Sequence, residues 1–294
     1  MGGIALLGSK PSLRAAAGRL LWQLHAALDT LVAMVPGLVS ITFRAKSPAE
    51  VIGLASRAGL RCIEWGGDVH VPPGDTAVAS AVRDGTRDAG MSCAAYGSYY
   101  RCTGESFAPI LTSAVTLGVP QIRVWAGQKG SAEATPEYRK LVTNSLRAIC
   151  AQAADRGQRI VTEWHGGTLT DTLASTQALF ADVDHPNLFT YWQPRTRMSA
   201  SHSLEELGKL DLPIAGVHVF SWDETTSERL ALAAGRATWQ RYLGELARRV
   251  NAQTPAMLEF VKDDSDESLV ADAAELMTWQ GMGGRNMSRI AADD

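Results

Sequence analysis

Four polar side chains each lie near the end of a short segment rich in Val, Ile and aromatic residues. Two carboxylates, an imidazole and an amide oxygen that converge would suit a divalent ion such as Mn²⁺, Co²⁺ or Mg²⁺. Each residue alone has a commoner explanation, as a helix-cap acceptor, an ion-pair partner or a hydrogen-bonded core histidine. Their recurrence at the same place in successive segments predicts a metal site. The residues are Glu163 in RIVTEW, Gln193 in LFTYWQ, His218 in IAGVHVF and Glu259 in AMLEFV.

Eight such segments alternate with amphipathic helical segments, and most are bounded by Gly, Pro or Asp, as strands are. Eight strands separated by helices require parallel pairing through crossover connections, and eight strands can close a barrel. An open doubly wound sheet is the alternative, but no G-x-G-x-x-G follows the first strand. We therefore predict an α/β fold, a single-domain (β/α)8 TIM barrel. The predicted strands are 38–43, 61–65, 91–97, 120–125, 159–164, 188–193, 214–220 and 256–261.

The helical segments have readable starts. Ser47-Pro48-Ala49-Glu50 is a capping box with Pro at the first helical position. Thr135 opens a long helix that Gly157 ends. For the last helix, we predict a cap formed by Asp264 with Glu267.

Residues 1–33 do not follow the alternation of strands and helices. Their leucines favour a loose amphipathic helix. We expect a dispensable N-terminal extension before a barrel domain at 34–294, with Met34 as a candidate start; a docking or capping helix is the alternative. Basic residues precede an apolar stretch here, but His25 and Asp29 interrupt it and no clean signal-peptide cleavage pattern follows.

Composition excludes several classes of protein. The chain has 294 residues, of which 46% are hydrophobic and 20% charged, and its formal net charge is −3. Without a run of Lys and Arg, a nucleic-acid partner is not expected. No apolar run is long enough to cross a membrane. Four cysteines without a C-x-x-C pair are typical of a reducing compartment, so we predict a cytoplasmic protein. The sequence leaves open whether it is a homo-oligomer.

Further polar residues near predicted strand ends are candidates for binding a substrate. Glu64 ends the second strand, and His70 follows it in a loop that closes with Pro and Gly. Arg123 and Trp125 lie two residues apart on the fourth strand, so both should point into the barrel. A buried Arg needs an anion, and Glu64 is the obvious partner, which makes that pair structural rather than catalytic.

Aromatic and imidazole side chains complete the predicted substrate site. Trp125 and Trp222 could form apolar walls for a sugar face, although aromatic packing requires no ligand. His165 lies two residues beyond Glu163 and could contact substrate or relay a proton. A hydrogen bond between His165 and the following Gly166-Gly167 turn is an equally good explanation of that residue.

The chain resembles the sugar phosphate isomerase/epimerase family, the xylose isomerase-like TIM barrels, over about residues 39–279. The resemblance implies that Glu163, Gln193, His218 and Glu259 are metal ligands, on strands five to eight. An Asp is usual where this chain has Gln193, so the ligand set carries one negative charge fewer. The similar segments are IEWGGDVHV, IRVWAG, VTEWHGGTLTDT, GVHVFSW and LEFVKDD.

The same resemblance implies an activity. A metal would polarise the oxygens of a small keto-sugar or polyol, and Glu163 and Glu259 would move a proton through an enediolate. We therefore predict a metal-dependent isomerase or epimerase. The alternatives are a dehydratase acting on an inosose-like substrate and a non-catalytic sugar-binding barrel, which Gln193 makes plausible. An endonuclease of the same fold is disfavoured, because the six histidines rarely fall at strand ends.

Overall fold

Eight parallel strands close into a barrel in the computed structural model, which describes residues 34–279. Each strand pairs with its neighbours in chain order, and the last closes on the first with Val35 opposite Pro255. The predicted TIM barrel is confirmed. The strands are β1 (Val35–Val39), β2 (Cys62–Gly66), β3 (Ser92–Gly97), β4 (Gln121–Val124), β5 (Arg159–Thr162), β6 (Leu188–Trp192), β7 (Ile214–Val219) and β8 (Pro255–Leu258).

Eight α-helices within residues 34–279 surround the strands. The capping box at Ser47 and Glu50 is present, and the Thr135 side chain accepts from the backbone N–H of Tyr138, both as predicted. The helices are α1 (Pro48–Arg57), α2 (Thr76–Asp88), α3 (Ala108–Leu117), α4 (Pro136–Ala154), α5 (Leu173–Val183), α6 (Ala200–Lys209), α7 (Arg236–Leu246) and α8 (Asp266–Trp279).

Three predicted boundaries are wrong. The last strand ends at Leu258 and not at 261. The first strand begins at Val35 and ends at Val39, because residues 40–43 turn into a 3₁₀-helix. The last helix is capped by Ser265, whose Oγ accepts from the backbone N–H of Ser268 at 3.1 Å. Asp264 instead lies at a positive φ of 50° and pairs with Arg229, so it is not available as the cap.

The apolar core has two parts, one inside the barrel and one between strands and helices. The inner part includes Cys62, Val161, Tyr191 and Met257. Space inside is tight: a Cβ at Gly216 would lie 2.5 Å from Cε1 of Tyr191. The barrel is therefore filled below its mouth, and only the residues above this layer can face a ligand.

The predicted N-terminal extension, residues 1–33, lies outside the described residues. Within residues 34–279, no helix has the length and apolarity needed to cross a membrane. All four cysteines fall in this range and are free thiols.

Candidate active site

Six polar residues form a layer at the carboxyl ends of the strands, and we refer to them as the floor of the site. Each lies two residues after a side chain or glycine of the layer below, so the period of two in a strand turns them into the barrel. Backbone hydrogen bonds continue past the strand ends, from Glu163 N to Val124 O and from Glu259 N to Val219 O. The floor consists of Glu64, Arg123, Glu163, Gln193, His218 and Glu259.

Three floor residues could hold a metal ion together. One ligand atom from each of Glu163, His218 and Glu259 lies within 4.8 Å of the other two, and all three residues are buried. Nδ1 of His218 is 3.3 Å from Oε2 of Glu259 and 3.9 Å from Oε1 of Glu163. Distances of this order leave room for an ion between the side chains, since metal–ligand bonds are about 2.0–2.2 Å long.

Gln193 belongs to the same cluster. Its Nε2 donates to the backbone carbonyl of Trp164 at 2.8 Å, and its Oε1 lies 2.9 Å from Nδ1 of His218. Because the carbonyl can only accept, the amide nitrogen must face Trp164, and it also lies 3.4 Å from Oε1 of Glu163; the amide oxygen faces His218. Gln193 therefore presents the atom that could bind a cation.

The charges of the floor also suit a divalent cation. Glu64, Glu163 and Glu259 are three carboxylates, and Arg123 is one guanidinium, so the floor carries about −2 when His218 is neutral, as a metal ligand must be, and about −1 when His218 is protonated. Burial alone would lower the pKa of His218, but Glu259 and Glu64 raise it to about 10. This shift indicates a site that attracts positive charge, and the residues present fit a bound divalent ion.

Arg123 connects two carboxylates of the floor. Its Nε donates to Oε1 of Glu64 at 2.6 Å, and its Nη1 donates to Oε2 of Glu163. Burial would raise the pKa of Glu64, but Arg123 and His218 hold it at about 2. The pKa of Glu163 is likewise lowered in spite of burial, by Arg123 and then His218. Both carboxylates are therefore held in the ionised form.

A cavity of about 520 Å³ opens above the floor. It reaches Glu163, Gln193 and Glu259, whereas His218 lies beneath it with no exposed surface. A cavity of this size suits a small metabolite. Of the other residues predicted from sequence, Trp125, His165 and Trp222 line the cavity.

Two residues predicted to bind substrate lie elsewhere. Glu64 has no exposed surface and does not line the cavity, because Arg123 and His218 enclose it. His70 is 3% exposed, with Nδ1 2.9 Å from Oγ of Ser40 and Nε2 3.1 Å from the carbonyl of Lys46. Both ring nitrogens of His70 are engaged by the protein, so this geometry offers none to a substrate.

Trp125 is more than an apolar wall. Its Nε1 donates to Oε2 of Glu163 at 2.8 Å. The guanidinium carbon of Arg101 lies 3.6 Å from the ring centroid of Trp125, and the His165 ring stacks on Trp125 with centroids 4.2 Å apart. Two groups this close must occupy opposite faces of the indole. The stack therefore sets the direction in which the indole N–H points.

Six residues that were not predicted from the sequence also line the cavity, and we refer to them as the cavity wall. Asp171 stood inside a segment that resembles the family, but nothing in its spacing singled it out. Arg195 lies beyond the end of β6, and its guanidinium donates to the carbonyl of Asp171 and to Glu206. Strand periodicity carries no information about such loops. The cavity wall consists of Arg44, Tyr99, Asp171, Arg195, Met198 and Phe260.

Comparison with known proteins finds relatives of one fold. A 3-dehydroshikimate dehydratase of Bacillus anthracis is 47% identical to the chain over 68 residues, which are 23% of this chain and 24% of that protein. The match thus spans about a quarter of the relative's length. A crystal structure of the probable 3-DHS dehydratase AsbF, involved in petrobactin synthesis in Bacillus anthracis, superposes with a TM-score of 0.70 at 22% identity, over 83% of this chain and 99% of that one.

Two further solved structures have the same architecture. A D-allulose 3-epimerase from Methylomonas sp. gives a TM-score of 0.62 at 15% identity, over 85% of this chain and 98% of that one. A xylose isomerase-like TIM barrel protein from Mycobacterium smegmatis, in complex with magnesium, gives 0.61 at 15% identity, over 84% and 97%. At such identities the likeness concerns the fold. The family model described as xylose isomerase-like TIM barrel matches residues 52–279. The chain therefore belongs to the xylose isomerase-like TIM barrel family.

Proposed function

We propose that the protein is a metal-dependent dehydratase, a lyase that removes water from a small hydroxy-ketone of the dehydroshikimate class. The observation that carries the proposal is the cluster of Glu163, Gln193, His218 and Glu259 beneath a cavity of about 520 Å³. A divalent ion held by these four residues would polarise the ketone oxygen and acidify the neighbouring C–H. Mn²⁺, Co²⁺ and Mg²⁺ are the candidates, as the ligand types predict.

His165 is the residue best suited to remove the proton. Its Nδ1 is 2.7 Å from the carbonyl of Gly166, which can only accept, so Nδ1 carries the hydrogen. The neutral ring then has its lone pair on Nε2. The ring lines the cavity and is held against Trp125. A positioned imidazole of this kind is a typical general base.

The contacts of Glu163 favour this reaction over epimerisation. A symmetric epimerase mechanism needs two acid–base groups on opposite sides of the substrate. Here Oε2 of Glu163 already accepts from Arg123 and Trp125, and both contacts stabilise the carboxylate. Glu163 is thus suited to binding a cation through Oε1 and poorly suited to accepting a proton, although the sequence predicted proton transfer by both Glu163 and Glu259.

In the proposed reaction, His165 takes a proton from the carbon next to the ketone. The electron pair of that C–H bond forms a carbon–carbon double bond as the C–O bond to the hydroxyl on the next carbon breaks. The imidazolium of His165 returns the same proton to the departing hydroxyl, so the products are an unsaturated ketone and water and His165 is neutral again. The similarity to a 3-dehydroshikimate dehydratase over 68 residues supports this choice of substrate class.

Epimerisation of a keto-sugar is the second candidate. It is supported by the presence of both Glu163 and Glu259 in the cluster and by the shared architecture of a D-allulose 3-epimerase. The two reactions begin with the same proton abstraction and differ in whether a hydroxyl is expelled. A non-catalytic sugar-binding barrel would bind a ligand and perform neither step.

The decisive experiment uses protein supplied with Mn²⁺, Co²⁺ or Mg²⁺ in D₂O, with 3-dehydroshikimate, D-fructose and an inosose as substrates. A dehydratase removes water from one of the substrates, and its unsaturated product absorbs in the near ultraviolet. Deuterium uptake with inversion at carbon, and no loss of water, would instead identify an epimerase. Neither deuterium uptake nor product from any substrate would overturn both enzymatic candidates.

A further inference from the structure

Two polar atoms of the floor face each other and lack hydrogen-bond partners among the described residues. They are Oε2 of Glu64 and Nε2 of His218, and both are buried. They lie 3.5 Å apart. A shift of about half an ångström would bring this pair into the normal hydrogen-bond range of roughly 2.7–3.2 Å. Among residues 34–279, no other candidate metal ligand has a buried side-chain N or O atom without a hydrogen-bond partner.

The two nitrogens of His218 face different surroundings. Nδ1 faces Gln193, Glu259 and Glu163, the candidate ligands. Nε2 faces Glu64, on the side away from the cavity. An imidazole nitrogen binds a metal only through its lone pair, so the hydrogen of the neutral ring must sit on the other nitrogen. Without an ion, Nδ1 donates to Oε1 of Gln193, which can only accept, so Nδ1 must lose this hydrogen when an ion binds. A group that holds the hydrogen of the neutral ring on Nε2 therefore makes Nδ1 available.

We propose that Glu64 is a positioning residue of the metal site: it accepts the Nε2–H of His218 and so leaves Nδ1 as the metal-binding nitrogen. Carboxylates commonly hold metal-bound histidines in this way. The inference rests on the metal centre of the proposed function and is independent of the substrate and of the reaction.

Glu64 is itself held in place by surrounding structure. Arg123 donates to its Oε1, which leaves Oε2 directed towards His218. The neighbouring strand makes room for this pair, because a Cβ at Gly97 would lie 2.7 Å from Nη2 of Arg123 and 2.8 Å from Oε1 of Glu64. Tyr191 packs edge-to-face on the His218 ring, with centroids 5.0 Å apart. These contacts hold the Glu64 carboxylate in an orientation in which Oε2 faces Nε2 of His218.

The test is the affinity for Mn²⁺ alone, measured by titration calorimetry. In Glu64→Gln, the amide oxygen can still accept from Arg123, which turns the NH₂ group towards Nε2 of His218. That donor favours the ring with its hydrogen on Nδ1, the form that cannot bind the ion. We expect Mn²⁺ to bind about 10–100-fold more weakly than to wild type, the usual effect of losing such a partner.

Glu206→Gln is the matched control. Glu206 is also buried and pairs with an arginine, Arg195, but it does not face His218. This variant should bind Mn²⁺ within about twofold of wild type even if its melting temperature falls. Equal binding by folded Glu64→Gln and wild type would overturn the proposal, as would an equal loss in both variants.

A measurement on the wild-type protein keeps the proposal testable if Glu64→Gln does not fold. In ¹⁵N NMR spectra of protein titrated with Zn²⁺, a diamagnetic probe, the His218 ring should carry its hydrogen on Nε2. A hydrogen on Nδ1 would overturn the proposal. Failure of the dehydratase assay leaves these results unchanged, so the two hypotheses fail separately.

Discussion

The floor and the cavity wall of the site differ in how the chain builds them. Floor residues stand at strand ends, two residues above a filled core layer, and their side chains are paired with one another; all are buried except Gln193, which is half-buried. Wall residues stand on loops, and several have ties to loop backbone or to exposed partners, as Arg44 does with Asp68. The comparison suggests that the floor determines which ion and which bond are activated, while the loops determine which molecule fits.

Substitution of His165 should have the largest effect on turnover. It also tests the division of roles between floor and loops, because His165 is a loop residue with a proposed chemical role. We expect His165→Phe to lower turnover by about 10²–10⁴-fold, the usual contribution of a general base. Phe can keep the stack on Trp125 but has no lone pair. Steady-state kinetics on the substrate found in the screen and Mn²⁺ calorimetry would measure the two effects.

Affinity for Mn²⁺ should stay within about twofold in His165→Phe, since His165 is not among the clustered ligands. His202→Gln, at an exposed histidine of α6, is the control and should leave turnover unchanged. Turnover by His165→Phe above a tenth of wild type would rule out His165 as the base.

Trp125 connects wall and floor, so its substitution should have an intermediate effect. Trp125→Phe can keep the stack between Arg101 and His165 but loses the Nε1–H that binds Glu163. A hydrogen bond to a charged group contributes about 1.5–3 kcal/mol, so we expect kcat to fall by roughly tenfold or more. Trp125→Leu, which removes the stack as well, should fall further. Equal rates for Trp125→Phe and wild type would show that the indole N–H does not matter.

Substitution of Gln193 tests how the charge of the floor affects the affinity for Mn²⁺. The sequence predicts that Gln193→Asp binds Mn²⁺ more tightly, because a carboxylate replaces a dipole with a full charge. The structure adds an opposing effect, since Asp is shorter and loses the hydrogen bond to Trp164. We expect the net gain in affinity to be less than about tenfold, measured by calorimetry beside wild type. Weaker binding would mean that the anchor on Trp164 matters more than the charge.

The sequence predicted the floor better than the wall for a physical reason. A strand has a fixed period, so a polar residue at its end has a known direction, and Glu163, His218 and Glu259 do converge. Glu64 was placed on the correct strand but assigned to substrate, because strand spacing does not distinguish the cavity from the space beneath it. Asp171 and Arg195 could not be found, since their positions depend on loop conformations that lack any period.

Asp272, in the helical shell, is a buried carboxylate that forms no ion pair, whereas the buried Glu64 pairs with Arg123. Substitution of Asp272 should have the smallest of the expected effects. Asp272 on α8 is 5% exposed, and its Oδ1 accepts from the backbone N–H of Leu232 at 2.8 Å. Burial raises its pKa to about 6 from an ordinary value of 3.8, because the Leu232 contact offsets only part of the desolvation and Glu275 adds repulsion. Arg236, the nearby cation, is paired with Glu275.

A carboxyl group whose pKa is raised by folding binds its proton more tightly in the folded state, so its ionisation destabilises the fold as pH rises through the interval from about 4 to 6. Asp272→Asn keeps the acceptor for Leu232 and removes the charge. A shift of about two pKa units corresponds to at most roughly 3 kcal/mol, and 1 kcal/mol to roughly 2–4 °C in a domain of this size. We therefore expect the melting temperature of Asp272→Asn to exceed that of wild type by several degrees above pH 7. The difference should shrink as pH falls towards 4.

Thermal unfolding between pH 4.5 and 8 measures this difference in melting temperature. Asp88→Asn, at an exposed position of α2, is the control for a change of net charge. If the Asn variant is less stable at every pH, the ionised carboxylate of Asp272 must have a favourable partner, as Glu64 has in Arg123.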